Sequence, residues 1–158
     1  MARIVSASIR GGRWSAHSLQ LRNYACLRYG QEYHNVARKT AFLPVRAFLL
    51  GRALELYLKA FLHTRGMGAT ELRKRPFSHK LDRLLLEAQK KDLGLLVHIS
   101  AALRADVAKL NRVYASKALE YFSLLHLLTR PTVPNLERIF RFAVSVRRVL
   151  EGSIHEPT

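Results

Sequence analysis

Four side chains that could bind anions or transfer protons share one face of a strongly helical segment, residues 44–65. Arg52, Glu55, Lys59 and His63 recur at three- and four-residue steps, the spacing that aligns side chains along an α-helix. Glu55 precedes Lys59 by four positions, the favourable order for an intrahelical ion pair, and Arg52 lies one turn earlier. We name these four residues the charged stripe. Two alternatives stay open: a structural ion pair of Glu55 and Lys59, or a solvated helix face.

Three motifs in and after this segment carry a family resemblance. They are Arg-Ala-Leu-Glu-Leu-Tyr-Leu-Lys-Ala at 52–60, His-Lys-Leu at 79–81 and Leu-Asn-Arg-Val-Tyr at 110–114. In order and separation they resemble the HEPN domains, over roughly residues 40–150, although that family commonly has Asp where Lys80 stands. The resemblance implies a small helical bundle, usually a homodimer. It also implies RNA binding or an adaptor role beside a partner such as a nucleotidyltransferase or an antitoxin.

Hydrophobic periodicity and helix-ending residues independently predict an all-α fold, with no strands. Five helices are expected, at about 14–39, 44–65, 78–93, 95–128 and 135–151. Pro44 suits a first helical turn, and Ser78 and Asn135 are the predicted N-caps of the third and fifth helices. One apolar face on each helix predicts an up-and-down bundle, with its core at about 40–150 behind the N-terminal helix.

Composition limits the class of protein. A chain of 158 residues with 49% hydrophobic content can bury one sizeable core, so a single domain, 1–158, is expected. No long apolar run lacks a charge, which predicts no transmembrane segment. Cys26 is the only cysteine, so we predict no intramolecular disulfide and, without other clustered ligands, no structural zinc site. No metal site and no cofactor are expected. A reducing cytoplasm fits best, although the acid-free residues 1–31 would also suit an organellar transit peptide.

The net charge of +16 is concentrated in the first half of the chain. Residues 1–79 hold 14 basic side chains and three acidic ones. Such a field attracts polyanions, whether RNA, DNA or an anionic membrane surface, because contact releases condensed counterions. Solubility alone is the competing explanation of the charge.

Two groups of basic residues are the predicted nucleic-acid contacts. The first group lies before and at the start of the third helix: Arg73, Lys74, Arg75 and Lys80. The second lies opposite an apolar face on the last helix: Arg138, Arg141, Arg147 and the neighbouring Arg148. Guanidinium and ammonium groups bind phosphates whatever the base sequence, and Tyr29, Tyr33 or Tyr57 could stack an unpaired base.

The HEPN resemblance further implies a catalytic motif. Active members bring together an Arg and a His separated by four to six residues at the dimer interface and cleave RNA without a metal. The histidine exchanges a proton with the ribose 2′-hydroxyl or the leaving oxygen, and the guanidinium stabilises the phosphate in the transition state. Four pairs have this spacing: Arg10 with His17, Arg28 with His34, Arg73 with His79, and Arg148 with His155.

Arg148 with His155 is the first catalytic candidate, because of its late position, and Arg73 with His79 is the second. None of the four pairs has the polar residue that active members tend to place directly after the arginine. Three functions therefore remain: an RNA-binding or adaptor module, a metal-independent endoribonuclease of toxin or defence type, and an interaction protein for an acidic partner or anionic lipid.

Overall fold

A computed structural model describes residues 16–115 and 134–156, with side chains from residue 18 onward. These ranges contain seven helices and no strand, which confirms the all-α prediction. The helices are α1 (Ala16–Lys39), α2 (Leu43–Thr64), α3 (Ala69–Arg73), α4 (Leu81–Lys90), α5 (Leu93–Leu96), α6 (Ala101–Ala115) and α7 (Leu136–Glu151). The later part of the predicted helix 95–128 lies outside the described residues. No described helix is long and apolar enough to cross a bilayer.

Helix α2 lies at the centre of the bundle and packs against α1, α4, α6 and α7. It begins after the N-cap residue Phe42, with Pro44 in its first turn as predicted. Consecutive buried residues such as Tyr57 and Leu58 show that more than one of its faces is covered. A helix that is apolar around most of its circumference must be surrounded by neighbours. Glu55, which lies on the same helix, is enclosed with them.

Two glycines allow the neighbouring helices to approach α2 closely. A Cβ atom on Gly30 of α1 would lie 2.6 Å from Cε1 of Tyr57, and one on Gly51 of α2 would lie 2.8 Å from Cδ2 of Tyr114. Both tyrosines are buried, so their rings fill the space that a side chain at either glycine would need. Gly30 and Gly51 therefore mark the contact points of α2 with α1 and α6.

The segment between α2 and α4 differs from the sequence prediction. Helix α3 interrupts a stretch expected to be a loop, and the predicted N-cap Ser78 is wrong, because α4 begins only at Leu81. The amide of Leu81 instead donates to Oδ1 of Asn111, at 2.8 Å, on α6. The oxygen that caps α4 thus comes from Asn111 on α6. The residues just before α4 give no sign of this cap in the sequence.

The next boundary is also displaced. Helix α4 ends at Lys90 rather than at Gly94, because Asp92 adopts a left-handed backbone conformation with φ 68°. The short α5 follows, and α6 begins at Ala101, where the amide of Leu103 donates to the Ser100 hydroxyl at 3.1 Å. The helix predicted to start at residue 95 therefore starts six residues later, at Ala101.

The predicted N-cap of the last helix is confirmed. Oδ1 of Asn135 accepts a hydrogen bond from the amide of Arg138 at 3.0 Å, at the start of α7. The Asn135 amide in turn donates to Asp106 Oδ1 at 3.1 Å, and the Arg138 guanidinium pairs with the other oxygen of that carboxylate. Asp106 thereby joins α6 to the first turn of α7.

Replacing Gly30 with alanine tests the contact between α1 and α2. We expect Gly30→Ala to lower the free energy of unfolding by about 1–3 kcal/mol, because the new methyl group overlaps the Tyr57 ring. Helix propensity alone predicts a gain of about 1 kcal/mol. Gly94→Ala in α5 is the control, since nothing lies within 4 Å of its Cβ position. Equal urea midpoints for the two variants would contradict this prediction, because they would show that the Tyr57 ring moves aside without loss of stability.

Candidate functional site

A buried carboxylate organises the polar centre of the bundle. The Glu55 side chain is 0% exposed, and both of its oxygens are occupied. Oε1 accepts from Lys59 Nζ at 2.5 Å, and Oε2 accepts from Arg52 Nη1 at 3.0 Å, from His79 Nδ1 at 3.2 Å and from the Tyr114 hydroxyl. We name these five residues the Glu55 cluster. The alternative of a solvated helix face is wrong for Glu55.

The donors keep the buried carboxylate ionised. Burial by itself raises the pKa of Glu55, but the positive charge of Lys59, hydrogen bonds from Lys59 and Tyr114, and the charge of Arg52 outweigh it and lower the pKa to about 2. Burial and the nearby Glu55 charge raise the pKa of Tyr114, so its hydroxyl stays protonated and donates. The cluster thus holds one negative charge against two permanent positive charges.

His79 occupies the exposed edge of this cluster. Its side chain is 45% exposed, and the edge of its ring meets the Tyr114 ring with 6.4 Å between centroids. The carboxylate can only accept, so Nδ1 carries the hydrogen and Nε2 is the second ring nitrogen available to a ligand. The backbone of His79 has φ 53°, a left-handed conformation that is uncommon outside glycine and clusters at functional sites. The ring is therefore held in place from both its backbone and its Nδ1 atom.

The predicted contacts Arg73, Lys74, Arg75 and Lys80 lie around His79 in sequence, and we name them the basic loop. All four are exposed, and within the described ranges none of them forms an ion pair. His79 anchors this loop to α2 through Glu55. No hydrogen bond or cation–π contact among the described residues joins the predicted catalytic pair of Arg73 and His79, and the Nδ1 atom of His79 is directed to Glu55.

The basic residues of α7 divide into two kinds. Arg138 pairs with Asp106, and Arg147 Nε lies 3.4 Å from Glu151 Oε1, so both have structural partners. Arg141 and Arg148 are exposed and form no ion pair with the described residues. Of the predicted α7 contacts, Arg141 and Arg148 are thus the ones whose guanidinium groups are open to a ligand.

Two of the other Arg–His pairs are not in contact within the described residues either. His155 is exposed beyond α7 and borders a groove with His63, whereas Arg148 is not among the residues that line it. His34 is 2% exposed, with its ring packed edge-on against Phe140, while Arg28 donates to Gln31 on the surface. Arg10 and the side chain of His17 lie outside the described residues.

The predicted stacking tyrosines differ in accessibility. Tyr57 is fully buried and cannot stack on a base. Tyr33 is half-buried, and Tyr29 is 65% exposed. Tyr29 is therefore the most accessible of the three candidates.

No family model matches the chain, and no curated protein or solved structure shows significant similarity to it. The candidate site therefore stands on its own geometry. Among the described residues, no group of three or more histidines, cysteines or carboxylates is placed to hold a metal ion.

Sequence reasoning found the ion pair of Glu55 and Lys59 but missed the other half of the cluster. His79 is 24 positions and Tyr114 59 positions from Glu55, and no spacing rule connects them. Both belong to the motifs that carry the family resemblance, which is the one signal that could have linked them. Nothing in the sequence indicated that Asp106 would hold Arg138.

Removing either member of the ion pair should destabilise the fold strongly. We expect Glu55→Ala and Lys59→Ala each to lower the free energy of unfolding by about 3–5 kcal/mol, because each leaves its partner uncompensated at a largely buried site. Lys90→Ala is the control. Its partner Glu87 lies 3.2 Å away at the surface, and such a pair contributes less than about 1 kcal/mol. Urea midpoints near that of the wild type for both cluster variants would contradict a structural role.

The same prediction has a pH signature. The pKa of Glu55 is about 2 in the folded protein, below its ordinary 4.5, so its contribution to stability is present above about pH 4.5 and is lost as the pH falls towards 2. The stability difference between the wild type and Glu55→Gln should therefore shrink from about pH 6 to about pH 3. A difference that does not change with pH would contradict this assignment.

Proposed function

We propose that the chain is a HEPN-like helical module that binds RNA through the basic loop and the exposed edge of the Glu55 cluster. The observation that supports this proposal is the pairing of His79 with Glu55, which anchors a loop of unpaired cations to the most buried helix of the bundle. A loop fixed at one end loses less conformational freedom when it binds, so its charges act as a preorganised surface.

The cluster adds charge to this surface. Its two permanent cations exceed its one carboxylate, so the carboxylate does not cancel the positive field at the surface. The Arg52 side chain is 33% exposed and uses Nη1 for Glu55, which leaves other N–H groups of its guanidinium fork for a phosphate. Phosphodiester oxygens accept from guanidinium, ammonium and imidazole groups alike, so RNA phosphates satisfy this set of donors.

Removing the basic loop charges should weaken RNA binding selectively. We expect the triple variant Arg73→Ala, Lys74→Ala, Arg75→Ala to bind single-stranded RNA at least about tenfold more weakly and with a shallower salt dependence, because fewer counterions are released. Fluorescence anisotropy between about 50 and 200 mM salt measures both quantities. The matched control is the triple variant Arg104→Ala, Lys109→Ala, Arg112→Ala. It also removes two arginines and one lysine, all exposed, but from α6.

Two results would contradict the proposal. One is the absence of RNA binding by the wild-type protein at low salt, and the other is an equal loss of affinity in the two triple variants. Binding to vesicles of anionic phospholipid in the absence of RNA binding would favour the interaction protein for an acidic partner or anionic lipid. Single-stranded DNA of matched sequence shows whether the 2′-hydroxyl contributes.

A second candidate function, metal-independent RNA cleavage, is favoured by the pairing of a carboxylate with an imidazole. Glu55 accepts from Nδ1 of His79, which orients the ring and leaves Nε2 to remove the proton of a ribose 2′-hydroxyl. That oxygen would attack the adjacent phosphorus while the bond from phosphorus to the 5′-oxygen breaks, and the 5′-oxygen would take a proton from water. The products are a 2′,3′-cyclic phosphate and a 5′-hydroxyl, and Arg52 or Arg73 would stabilise the charge on the phosphate in the transition state. His155 has no carboxylate contact among the described residues, so this observation favours His79 over the first sequence candidate, Arg148 with His155.

Cleavage by this route should persist in EDTA and yield 2′,3′-cyclic phosphate ends. We expect His79→Asn to lower the rate by about a hundredfold or more and to weaken RNA binding by much less, because proton transfer is lost whereas the basic loop loses its anchor but keeps its charges. Asparagine tolerates the left-handed backbone of His79. His155→Asn is the control. A requirement for added Mg²⁺, or cleavage that survives substitution of Arg73, His79, Arg148 and His155 one at a time, would contradict the catalytic role.

A further inference from the structure

The junction of α1 and α2 exposes a group of apolar side chains. The two helices pack against each other and are joined by residues 40–42 alone, so their junction is the tip of a helical hairpin. Phe42 is 56% exposed, and Leu43 and Val45 in the first turn of α2 and Val36 in the last turn of α1 are also exposed. Single exposed apolar residues are ordinary, but a group at one place marks a contact surface.

The same tip is basic. Residues 33–54 contain four lysines and arginines and no acidic residue. Arg38 and Lys39, in the last turn of α1, are exposed, and neither forms an ion pair with the described residues. Two positive charges therefore lie close in sequence to the apolar side chains without a counter-charge. We name this set the α1–α2 corner: Val36, Arg38, Lys39, Phe42, Leu43 and Val45.

An aromatic ring of α7 holds the Arg38 guanidinium in position. Its Cζ atom lies 5.2 Å from the centroid of the Phe140 ring, and Cζ of Arg46, in the first turn of α2, lies 5.0 Å from the same centroid. Both distances are those of a cation–π contact. Arg46 also pairs with Glu137, so one carboxylate accompanies two guanidinium groups at this ring. The charge of Arg38 is left for an external anion.

This combination fits an anionic lipid bilayer better than the other polyanions. RNA offers phosphates to the cations but no apolar region to aliphatic side chains such as Leu43 and Val45. Acidic amphipathic helices bind in grooves, whereas these residues lie at the tip of a hairpin. At a bilayer surface, apolar side chains enter the boundary between headgroups and acyl chains while basic ones contact lipid phosphates. A guanidinium binds a phosphate through two parallel hydrogen bonds.

We propose that the α1–α2 corner binds the surface of an anionic lipid bilayer. Phe42, Leu43 and Val45 enter the acyl boundary, and Arg38 and Lys39 contact lipid phosphates. This binding is peripheral, so it requires no membrane-spanning helix. The inference does not rest on the proposed RNA binding, because Leu43 and Glu55 are separated by about 18 Å along α2. Substitutions at the corner therefore leave the residues of the Glu55 cluster and of the basic loop in place.

Removing the apolar tip is the decisive test, because net positive charge alone carries many basic proteins to anionic vesicles. We expect the double variant Phe42→Ser, Leu43→Ser to bind vesicles of phosphatidylcholine and phosphatidylserine at least about tenfold more weakly in co-sedimentation. The control is Leu95→Ser, Leu96→Ser, which removes two exposed leucines from α5 and should bind as the wild type does. Serine suits the N-cap and first turn of a helix, so α2 keeps its start.

Removing the charges is the second test. The double variant Arg38→Gln, Lys39→Gln should bind the same vesicles about tenfold more weakly or worse, because each basic residue at the surface of an anionic leaflet strengthens binding several-fold. Lys109→Gln, Arg112→Gln, which removes one exposed lysine and one exposed arginine from α6, should cause a much smaller loss. Vesicles of phosphatidylcholine alone should bind the wild-type protein weakly.

The outcomes separate this inference from the proposed function. Absence of binding to phosphatidylserine vesicles at low salt, or equal binding by the Phe42/Leu43 variant and the α5 control, overturns the inference. Weaker RNA binding by the Phe42/Leu43 variant with unchanged vesicle binding also overturns it and assigns the corner to RNA. Vesicle binding that depends on the corner, in a protein that binds no RNA, supports the inference and overturns only the proposed function. Vesicle binding that the triple variant of the basic loop retains, while its RNA binding is weakened, supports both.

Discussion

The enclosure of a single carboxylate is the constraint on which the centre of this structure depends. An ionised group without solvent must receive its hydrogen bonds from the protein. Glu55 receives them from its own helix, from the residue two positions before α4 and from α6. Arg52 and Lys59 of α2 reach both oxygens, and His79 and Tyr114 add donors to Oε2, so three parts of the chain meet at this carboxylate.

This requirement connects packing to charge at the surface. The loop that carries Arg73, Lys74 and Arg75 belongs to the least regular part of the described chain, between α2 and α4. His79 attaches this loop to the buried carboxylate of Glu55. The exposed cations of the loop are therefore held in a defined position.

The sequence predicted well those features that depend on neighbouring residues. The all-α class, the bounds of α1 and α2 within a few residues, the position of Pro44 and the cap at Asn135 follow from periodicity and local hydrogen bonding. Glu55 and Lys59 are one helical turn apart, and their pairing was predicted for the same reason.

Features that depend on distant residues were not predicted. Helices α3 and α5 are too short to show periodicity. Contacts of Glu55 with His79 and Tyr114, and of Asp106 with Arg138, join residues whose proximity only the packed bundle creates. The catalytic Arg–His pairs stay predictions. Six intervening residues in a helix tail do not bring two side chains together, and Arg148 and His155 do not meet within the described structure.

The cap that Asn111 supplies to α4 has a consequence for how this protein can change. Many helices have a serine, threonine, aspartate or asparagine at their start as a cap, which restricts what else that position can be. Here the amide of Leu81 is satisfied from α6, so residues 78–80 are released from the capping role. Residues 78–80 can therefore vary in sequence, or present histidine and lysine to a ligand, while α4 keeps its cap. The restriction is transferred to position 111, which is buried, so a substitution that removes the amide oxygen there leaves the Leu81 amide unpaired and weakens the contact between α4 and α6.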